Sequence, residues 1–368
     1  MPTLPISIPY TFAASTTSIP LSYLDSNFST LTTALNGIGS GTTPLTSVTI
    51  TGGTITGVSG VPTLDANNNL SIAGVVQMGS SFLRNRIING AMAIDQRNAG
   101  AAQTITTAAA AYTVDRWLAS CTGANVTGQR VAGSGSTQYR YQFTGAASVT
   151  AINFTQRIEQ LNSYDLAGST ITISVDLANS LLTSVSWALS YANSADTFTS
   201  TTAISSGTFT VSSTVTRYNV QVLLPAAATT GLQLQLSVGA QTSGTWTIGN
   251  VQVEAGTIAT PFERRPQGQE FLLCQRYYEQ DLLTNGPAGY VAFSWNGITT
   301  NGALYFGTRP FQVAKRASPT VLILNNYRVG FNTPAINTTS ISSFMASAIA
   351  NTGGDSAFGF TWSASAEL

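Results

Sequence analysis

Four segments in the middle of the chain alternate apolar and polar residues with a period of two. They read TITISVDL, SVSWALSY, RYNVQVLL and LQLQLSV. Successive side chains of a β-strand point to opposite faces, so this alternation predicts four strands that each bury one face. The predicted buried positions are Ile171, Ile173, Val175, Leu177, Val185, Trp187, Leu189, Tyr191, Tyr218, Val220, Val222, Leu224, Leu232, Leu234, Leu236 and Val238.

Turn-forming clusters such as NSADTF and AATTG separate these segments, and residues 82–266 show almost no helical periodicity. Short strands at this spacing predict an all-β domain, either a sandwich or a jelly roll. In TWTIGNVQVE the apolar phase slips between Ile248 and Val251. A β-bulge is therefore expected at Gly249–Asn250.

The pattern changes after Arg265–Gln269, where proline and glycine interrupt it. In FLLCQRYYEQ, Phe271 and Leu272 are followed at helical spacing by polar residues and then by Tyr278, which favours a helical turn over a strand. Short β-segments then return, among them GYVAFSWNG, ALYFGT, PTVLILNNYRVGF and AFGFTWSASAEL. Residues 267–368 are therefore expected to form a separate, small β-sandwich.

Residues 1–45 are predicted to form an attachment segment with one short helix. Prolines in the first 20 residues favour extended backbone, since proline lacks an N–H and disfavours helix. The stretch that follows spaces its apolar residues as an a/d heptad seam over two heptads. The seam residues are Leu24, Phe28, Leu31, Leu35 and Ile38. Gly37 and Gly39 are expected to end the helix. Because two heptads cannot hold a coiled coil alone, two arrangements remain open: a single helix lying on its own domain, or a short self-associating bundle.

Residues 46–81 are low in complexity, with isolated apolar residues between Thr, Ser and Gly. One such chain cannot close a core, so its thin strands need partners from neighbouring repeats or other copies. Three chains wrapped around an axis satisfy this need and form a thin β shaft. A flexible linker is the alternative.

Composition excludes several classes of function. The chain has 15 basic and 15 acidic residues and no histidine, so it has no His-based triad or His metal site. Cys121 and Cys274 are too far apart in sequence for a CxxC or zinc motif and are predicted to be buried free thiols. Zero net charge with a single lysine argues against nucleic-acid binding. No apolar run is long enough to span a membrane, and no signal peptide is expected at the start.

Several motifs resemble those of bacteriophage tail-fibre proteins. They are FLRNRIINGAMAIDQRN (82–98), YTVDRW (112–117), FTQRIEQ (154–160), VQVEAGTIATPFERRP (251–266), EFLLCQRYY (270–278), the AEL ending, and the N-terminal IPYTFAASTTSIPLSYLDSNF. The resemblance is specific in the middle domain and weak in residues 46–81. It implies an elongated homotrimeric fibre with a jelly-roll middle domain (82–266) that is similar to carbohydrate-binding modules, and with a distal β-sandwich at residues 267–368. No family motif fixes ligand residues.

The resemblance also implies a function. The protein would attach to the phage tail, baseplate or an adaptor protein through its N-terminus and bind host surface polysaccharide, or another host receptor, through its distal β-domains. It would reside in the virion after assembly in the host cytoplasm, without cofactors, catalytic activity or membrane insertion. Two alternatives remain open: a collar or whisker that binds no receptor, and a polysaccharide-degrading spike. Asp176 and Asp196 are the only carboxylate pair in the strand-rich middle that a glycoside hydrolase mechanism could use.

Aromatic side chains stack on the apolar faces of sugar rings while polar groups bind the hydroxyls, so receptor contacts are expected in the aromatic-rich distal segment. Trp295 is the leading candidate because it precedes NGITTNG, a loop rich in turn residues. The candidate contacts are Trp295, Asn296, Tyr305, Arg309, Tyr327 and Arg328.

The remaining charged motif residues are expected to have structural roles. Ion pairs are predicted among Arg84, Arg86, Asp95, Asp115 and Arg116. Turn or arginine contacts are predicted for Glu159, Glu254 and Glu263. A cation bound near the Asp-rich loops is the alternative to these pairs.

Overall fold

The computed structural model describes residues 17–18, 20–39, 83–135, 137–282 and 293–368. The predicted shaft at 46–81 lies outside the described residues, as does most of the extended start of the chain. The chain divides into two compact units, Met1–Val76 and Gln77–Leu368. The predicted division at residues 45, 81 and 266 stays a prediction.

The described part of the first unit is essentially one helix, α1 (Leu21–Gly39). The predicted helix is confirmed; it continues through Gly37 and ends at Gly39. Four of the five seam residues are exposed, and the fifth, Ile38, lies where no side chain is described. Their exposed fractions are 40% for Leu24, 59% for Phe28, 41% for Leu31 and 57% for Leu35. Neither α1 nor the other described helix is long and apolar enough to cross a membrane.

The larger part of the second unit is a sandwich of two six-stranded antiparallel sheets. Sheet A has the order β1 (Gln103–Ile105), β4 (Val126–Ala132), β5 (Tyr139–Thr144), β12 (Thr245–Ala255), β7 (Thr170–Asn179) and β10 (Thr216–Leu223). Sheet B has the order β2 (Ala111–Tyr112), β3 (Leu118–Thr122), β6 (Ala151–Ile158), β11 (Leu232–Val238), β8 (Ser184–Ser194) and β9 (Thr197–Thr210). The chain crosses repeatedly between the sheets, an arrangement typical of jelly rolls.

The four alternating segments form β7, β8, β10 and β11, as predicted. Thirteen of their sixteen predicted positions are buried; Tyr191, Tyr218 and Val220 are half-buried and pack against the same core. On β7 the outward residues Thr172 and Ser174 are buried too. The reason is that the chain after β12 turns back over sheet A, where the Gly256 carbonyl accepts a hydrogen bond from Thr172.

The predicted β-bulge is confirmed. The pairing of β12 with β7 shifts register between Gly249 and Gln252, and Asn250 adopts a left-handed backbone with φ of 47°. Its side-chain amide donates hydrogen bonds of 2.7 Å to Thr137 and to Asp176.

The helical segment after residue 266 is confirmed as α2 (Gln267–Gln275). The smaller sandwich follows, as expected. Its sheet C contains β13 (Tyr278–Asp281), β14 (Phe293–Thr299), β16 (Thr320–Val329) and β19 (Gly354–Ser365), with β19 at its centre. Its sheet D has the order β15 (Leu304–Pro310), β18 (Ser343–Ile349) and β17 (Ala335–Thr339). The core between them is strongly aromatic, with Phe293 stacked on Phe360 at 4.5 Å and Trp362 buried.

A buried junction joins the two sandwiches. Cys274 and Tyr277, at the end of α2, pack with Ile88 and Ile94 of the larger sandwich. Glu367 forms ion pairs with Arg97 and Arg116, and the Arg116 guanidinium lies 3.6 Å from the centre of the Tyr277 ring. The RNRIINGAMAIDQRN, YTVDRW and CQRYY motifs therefore meet here.

Arg86, Asp95, Asp115 and Arg116 form ion pairs, as predicted, although the partners differ from those expected. Among the described residues, no ion pair is found for Arg84, so that part of the prediction is not confirmed. Arg86 pairs with Asp165 rather than with Asp95 or Asp115. Asp95 faces Arg130 at 3.9 Å, and Asp115 faces Arg97 at 3.6 Å. The three glutamates also have fixed partners: Glu159 pairs with Arg276, Glu254 accepts from Thr260, and Glu263 accepts from backbone amides near Asn85.

Candidate functional site

The smaller sandwich has two ends with different surroundings. The C-terminal end of β19 leads directly to Glu367, which is bound in the junction. Strand β19 is twelve residues long and begins at Gly354, at the opposite end of the sandwich. At about 3.3 Å per residue, the start of β19 lies roughly 36 Å from the junction end.

Three loops meet at this far end, and we call them the tip loops: residues 300–303, 330–334 and 350–353. Backbone hydrogen bonds tie them together. The Gly302 N–H donates to Ala350 at 2.8 Å, Asn351 donates to Gly330 at 2.9 Å, and Asn332 donates to Ile349 at 2.9 Å. The tip loops are therefore a connected surface rather than three independent loops.

Glycine is required at one position of this surface. Gly330 has φ of 71°, and a Cβ atom there would lie 2.4 Å from Ser356 Oγ and 2.6 Å from Thr352 Oγ1. The Ser356 hydroxyl is held in turn by a 2.8 Å hydrogen bond to Thr299. Because Gly330 has no side chain, the second tip loop packs closely against Thr352 of the third tip loop and against Ser356.

The tip loops expose uncharged polar groups. Asn301, Asn332, Asn351 and Thr352 are exposed. The Asn351 side-chain amide donates to the Asn332 side-chain carbonyl at 3.4 Å. Amides and hydroxyls can both donate and accept, which suits a ligand that carries many hydroxyl groups.

Two predicted contact residues lie together below this surface. The rings of Trp295 and Tyr305 are 4.5 Å apart, and both stand edge-on to Phe331. The Tyr305 hydroxyl accepts a 2.8 Å hydrogen bond from the Thr300 N–H, so the aromatic cluster directly supports the first tip loop. Both rings are half-buried, which leaves part of each at the surface.

The other four predicted residues are more dispersed. Arg328 is exposed and donates to Thr333 in the second tip loop. Asn296 is exposed, whereas Tyr327 is half-buried beside Gly359 in the middle of sheet C. Arg309 lies towards the junction, where it pairs with Asp281 at 2.8 Å.

Arg309 therefore does not share a surface with the tip loops, and its predicted receptor contact stays a prediction. The sequence analysis also missed Asn332 and Asn351. Both lie in the turn-rich stretches GFNTP and IANTGGD, whose composition gives the available signal.

The two aspartates considered for catalysis are in separate environments. Asp176 lies on sheet A, where Arg217 pairs with it at 2.9 Å. Asp196 lies in the turn between β8 and β9 and accepts a 2.7 Å hydrogen bond from the Gln160 N–H. Within the described residues, no group of three or more His, Cys, Asp or Glu side chains forms a metal site.

Several ionisable groups of the junction and its surroundings have shifted pKa values. Burial raises the pKa of Asp115 to about 6, although Arg97 and hydrogen bonds from Gln96 act in the opposite direction. Burial also acts to raise the pKa of Glu159, but hydrogen bonds from Arg276 and Tyr277 outweigh it and lower that pKa. Burial raises the pKa of Tyr112 to about 12.

No protein-family model matches the sequence, and a search of curated proteins finds no match. Among solved structures, the enzymatically active domain of tailspike protein 4 of bacteriophage CBA120 is 18% identical over 38% of this chain, with a TM-score of 0.30. The matched region spans 19% of that tailspike chain.

For two other proteins, the matched region covers almost the whole of their own chain. A CBM4 carbohydrate-binding module is 16% identical over 46% of this chain and 98% of its own, with a TM-score of 0.31. A putative sugar-binding protein from Bacteroides thetaiotaomicron is 12% identical over 47% of this chain and 100% of its own, with a TM-score of 0.33.

Proposed function

We propose that this protein is a virion attachment fibre of a bacteriophage, which binds host surface polysaccharide through the tip loops. The observation that supports the proposal is the arrangement of the tip loops and of the aromatic side chains below them. Exposed Asn and Thr side chains form a hydrogen-bonded surface above the Trp295–Tyr305 ring pair, at the end of the smaller sandwich farthest from the junction. Polar groups that converge around an aromatic surface are a typical arrangement for binding sugars.

The fibre would be a homotrimer that begins at α1. Exposed Leu24, Phe28, Leu31 and Leu35 are spaced as a heptad seam, and burying them against other copies removes apolar surface from water. The order of three comes from the tail-fibre resemblance of the motifs. In this arrangement residues 1–45 dock to a tail, baseplate or adaptor protein. Three weak sites on one particle would also strengthen binding through effective concentration.

The full-length chain applied to an array of bacterial surface polysaccharides tests the receptor role. The paired substitution Asn332→Ala and Asn351→Ala removes two exposed amides that support no core packing. We expect binding to fall by about tenfold or more, since each lost hydrogen bond to a ligand costs roughly 1 kcal/mol and three sites act together. Ser206→Ala on the exposed edge strand β9 is the matched control and should leave binding unchanged.

Two results would contradict this proposal. If the unmodified protein retains no polysaccharide, the purely structural collar or whisker becomes the better explanation. If reducing ends are released from a bound polysaccharide, the protein is an enzyme, and the predicted lack of catalysis is wrong.

A further inference from the structure

An apolar patch lies on the outward face of sheet D. Strand alternation places Phe344, Ala346 and Ala348 of β18 in the core, so the residues between them face outward. The register pairs Leu304 with Ile349 and Phe306 with Ser347 across β15 and β18.

These outward positions form one continuous surface. Phe306 lies opposite Ser347, and its diagonal neighbours on β18 are Met345 and Ile349, which are within reach of a large side chain. The exposed fractions are 57% for Leu304, 62% for Phe306 and 45% for Ile349. Neighbouring apolar side chains exposed together on one face indicate an interaction surface, unlike single exposed residues. We call Leu304, Phe306, Met345 and Ile349 the sheet D patch.

Among the described residues of sheet D, the patch has no charged neighbours on its own face. The outward positions of these strands are Leu304, Phe306, Thr308, Pro310, Ala335, Thr338, Ser343, Met345, Ser347 and Ile349. Two identical faces that carried charge would bring like charges together on contact. A neutral apolar face avoids that cost, so its chemistry suits contact with a copy of itself.

We infer that the sheet D patch is a contact between copies of this chain. The inference rests on the proposed self-association of the fibre. The exposed apolar seam of α1 supports that self-association independently, since a heptad seam is buried by contact with another helix. Copies joined through α1 would hold their sheet D patches in one particle, which raises the effective concentration of one patch for another. A free sugar is a poorer occupant of this patch than of the tip, since the four side chains offer no hydrogen-bond donor.

Cysteine cross-linking of the full chain tests the assignment. Phe306→Cys places a thiol in the patch. Leu223→Cys is the matched control, because Leu223 is 68% exposed on the edge strand β10 of the larger sandwich. Cys121 and Cys274 are buried and contribute no surface thiol. After mild oxidation or treatment with a short bis-maleimide, we expect Phe306→Cys to give at least about tenfold more covalently linked chains than the control.

Sedimentation of the same samples separates the possible failures. A multi-copy particle without cross-linking at residue 306 overturns the sheet D contact and leaves self-association intact. Equal cross-linking of both variants shows random collision and also overturns it. A single-chain mass overturns both the contact and the proposed fibre.

A charge substitution provides a readout that does not depend on thiol geometry. Phe306→Asp places like charges face to face in every pair of copies, and the position is exposed in the single chain, so folding should be retained. We expect the copies to separate at a lower temperature than in the unmodified protein and in Leu223→Asp. An unchanged separation temperature would contradict the contact.

Discussion

The two sandwiches are built from similar strands but differ in how many large apolar side chains they expose. The larger sandwich encloses an extensive core, and large exposed apolar residues are sparse along its strands. The smaller sandwich is little more than half as long in sequence and yet exposes eight large apolar residues among residues 293–368. They are Ile298, Leu304, Phe306, Leu322, Leu324, Val329, Ile341 and Ile349.

The difference shows where each sandwich obtains its stability. Two six-stranded sheets can bury one face of every strand against each other. The smaller sheets bury less surface between them, as expected for a small domain. The smaller sandwich compensates at the junction, where Glu367 and Tyr277 pack into the larger one. Its exposed outer faces then remain available for contacts with other molecules.

Removing a ring from the larger core should have the greatest effect. Phe154 is fully buried between the rings of Trp117 and Tyr141, at 4.6 and 5.1 Å. Phe154→Ala should lower the free energy of unfolding by about 3–5 kcal/mol, because it leaves a cavity among packed rings. Urea denaturation followed by tryptophan fluorescence measures this loss. Leu223→Ala is the control and should change stability by less than about 0.5 kcal/mol. Equal losses in the two variants would contradict the contrast between core and exposed edge.

Breaking the junction should uncouple the two sandwiches. Arg116 is buried, and Glu367→Ala removes its carboxylate partner. An unpaired buried charge costs about 3 kcal/mol or more, so the smaller sandwich should unfold first, in a separate transition. Calorimetry of the full chain would show two transitions where the unmodified protein shows one.

Asp165→Ala is the matched control for this second prediction. It removes the more exposed ion pair with Arg86 and should cost no more than about 1 kcal/mol, with the transition kept single. A single, unshifted transition in Glu367→Ala would show that the junction does not stabilise the smaller sandwich.

The sequence predicts the two sandwiches unequally well, for a physical reason. Strict alternation in β7, β8, β10 and β11 reflects one buried and one exposed face, which a period of two records directly. No periodic pattern in the sequence predicts the junction, because it joins Arg116 to Glu367 across 251 positions. The turn-rich NGITTNG predicts a loop directly after Trp295, but residues 296–299 continue strand β14, so Trp295 lies within that strand and packs against the core. The proximity of Asn332 and Asn351 could not be predicted, since only the pairing of strands brings their loops together.

Stability should depend on pH through Asp115. Its pKa is raised from 3.8 to about 6 in the folded protein, so the folded state holds the proton more tightly than the unfolded state. Stability from this residue is therefore greatest below about pH 4 and is lost as the pH rises through 6, by on the order of 2–3 kcal/mol.

Asp115→Asn tests this assignment, because asparagine keeps the shape of the side chain without its titration. The difference in unfolding free energy between the two proteins should change between pH 4 and pH 7, with the unmodified protein losing more. Glu159 contributes in the opposite direction in both proteins and cancels in the difference, since its pKa is lowered. A pH-independent difference would mean that Asp115 is not the responsible group.

The smallest effect is expected at the tip, where two glycines in left-handed conformations can be compared. Gly302 has φ of 81°, and a Cβ atom there would have no neighbouring atom within 4 Å, so Gly302→Ala should cost only the backbone strain of about 1–2 kcal/mol. Gly330→Ala carries the same strain and also forces the added methyl group against Ser356 and Thr352. If the tip loops bind polysaccharide as one connected surface, Gly330→Ala should weaken binding more than Gly302→Ala, while both leave the unfolding of the larger sandwich unchanged. Equal binding by the two variants would place the receptor contact away from the second and third tip loops, because only Gly330→Ala disturbs the packing between them.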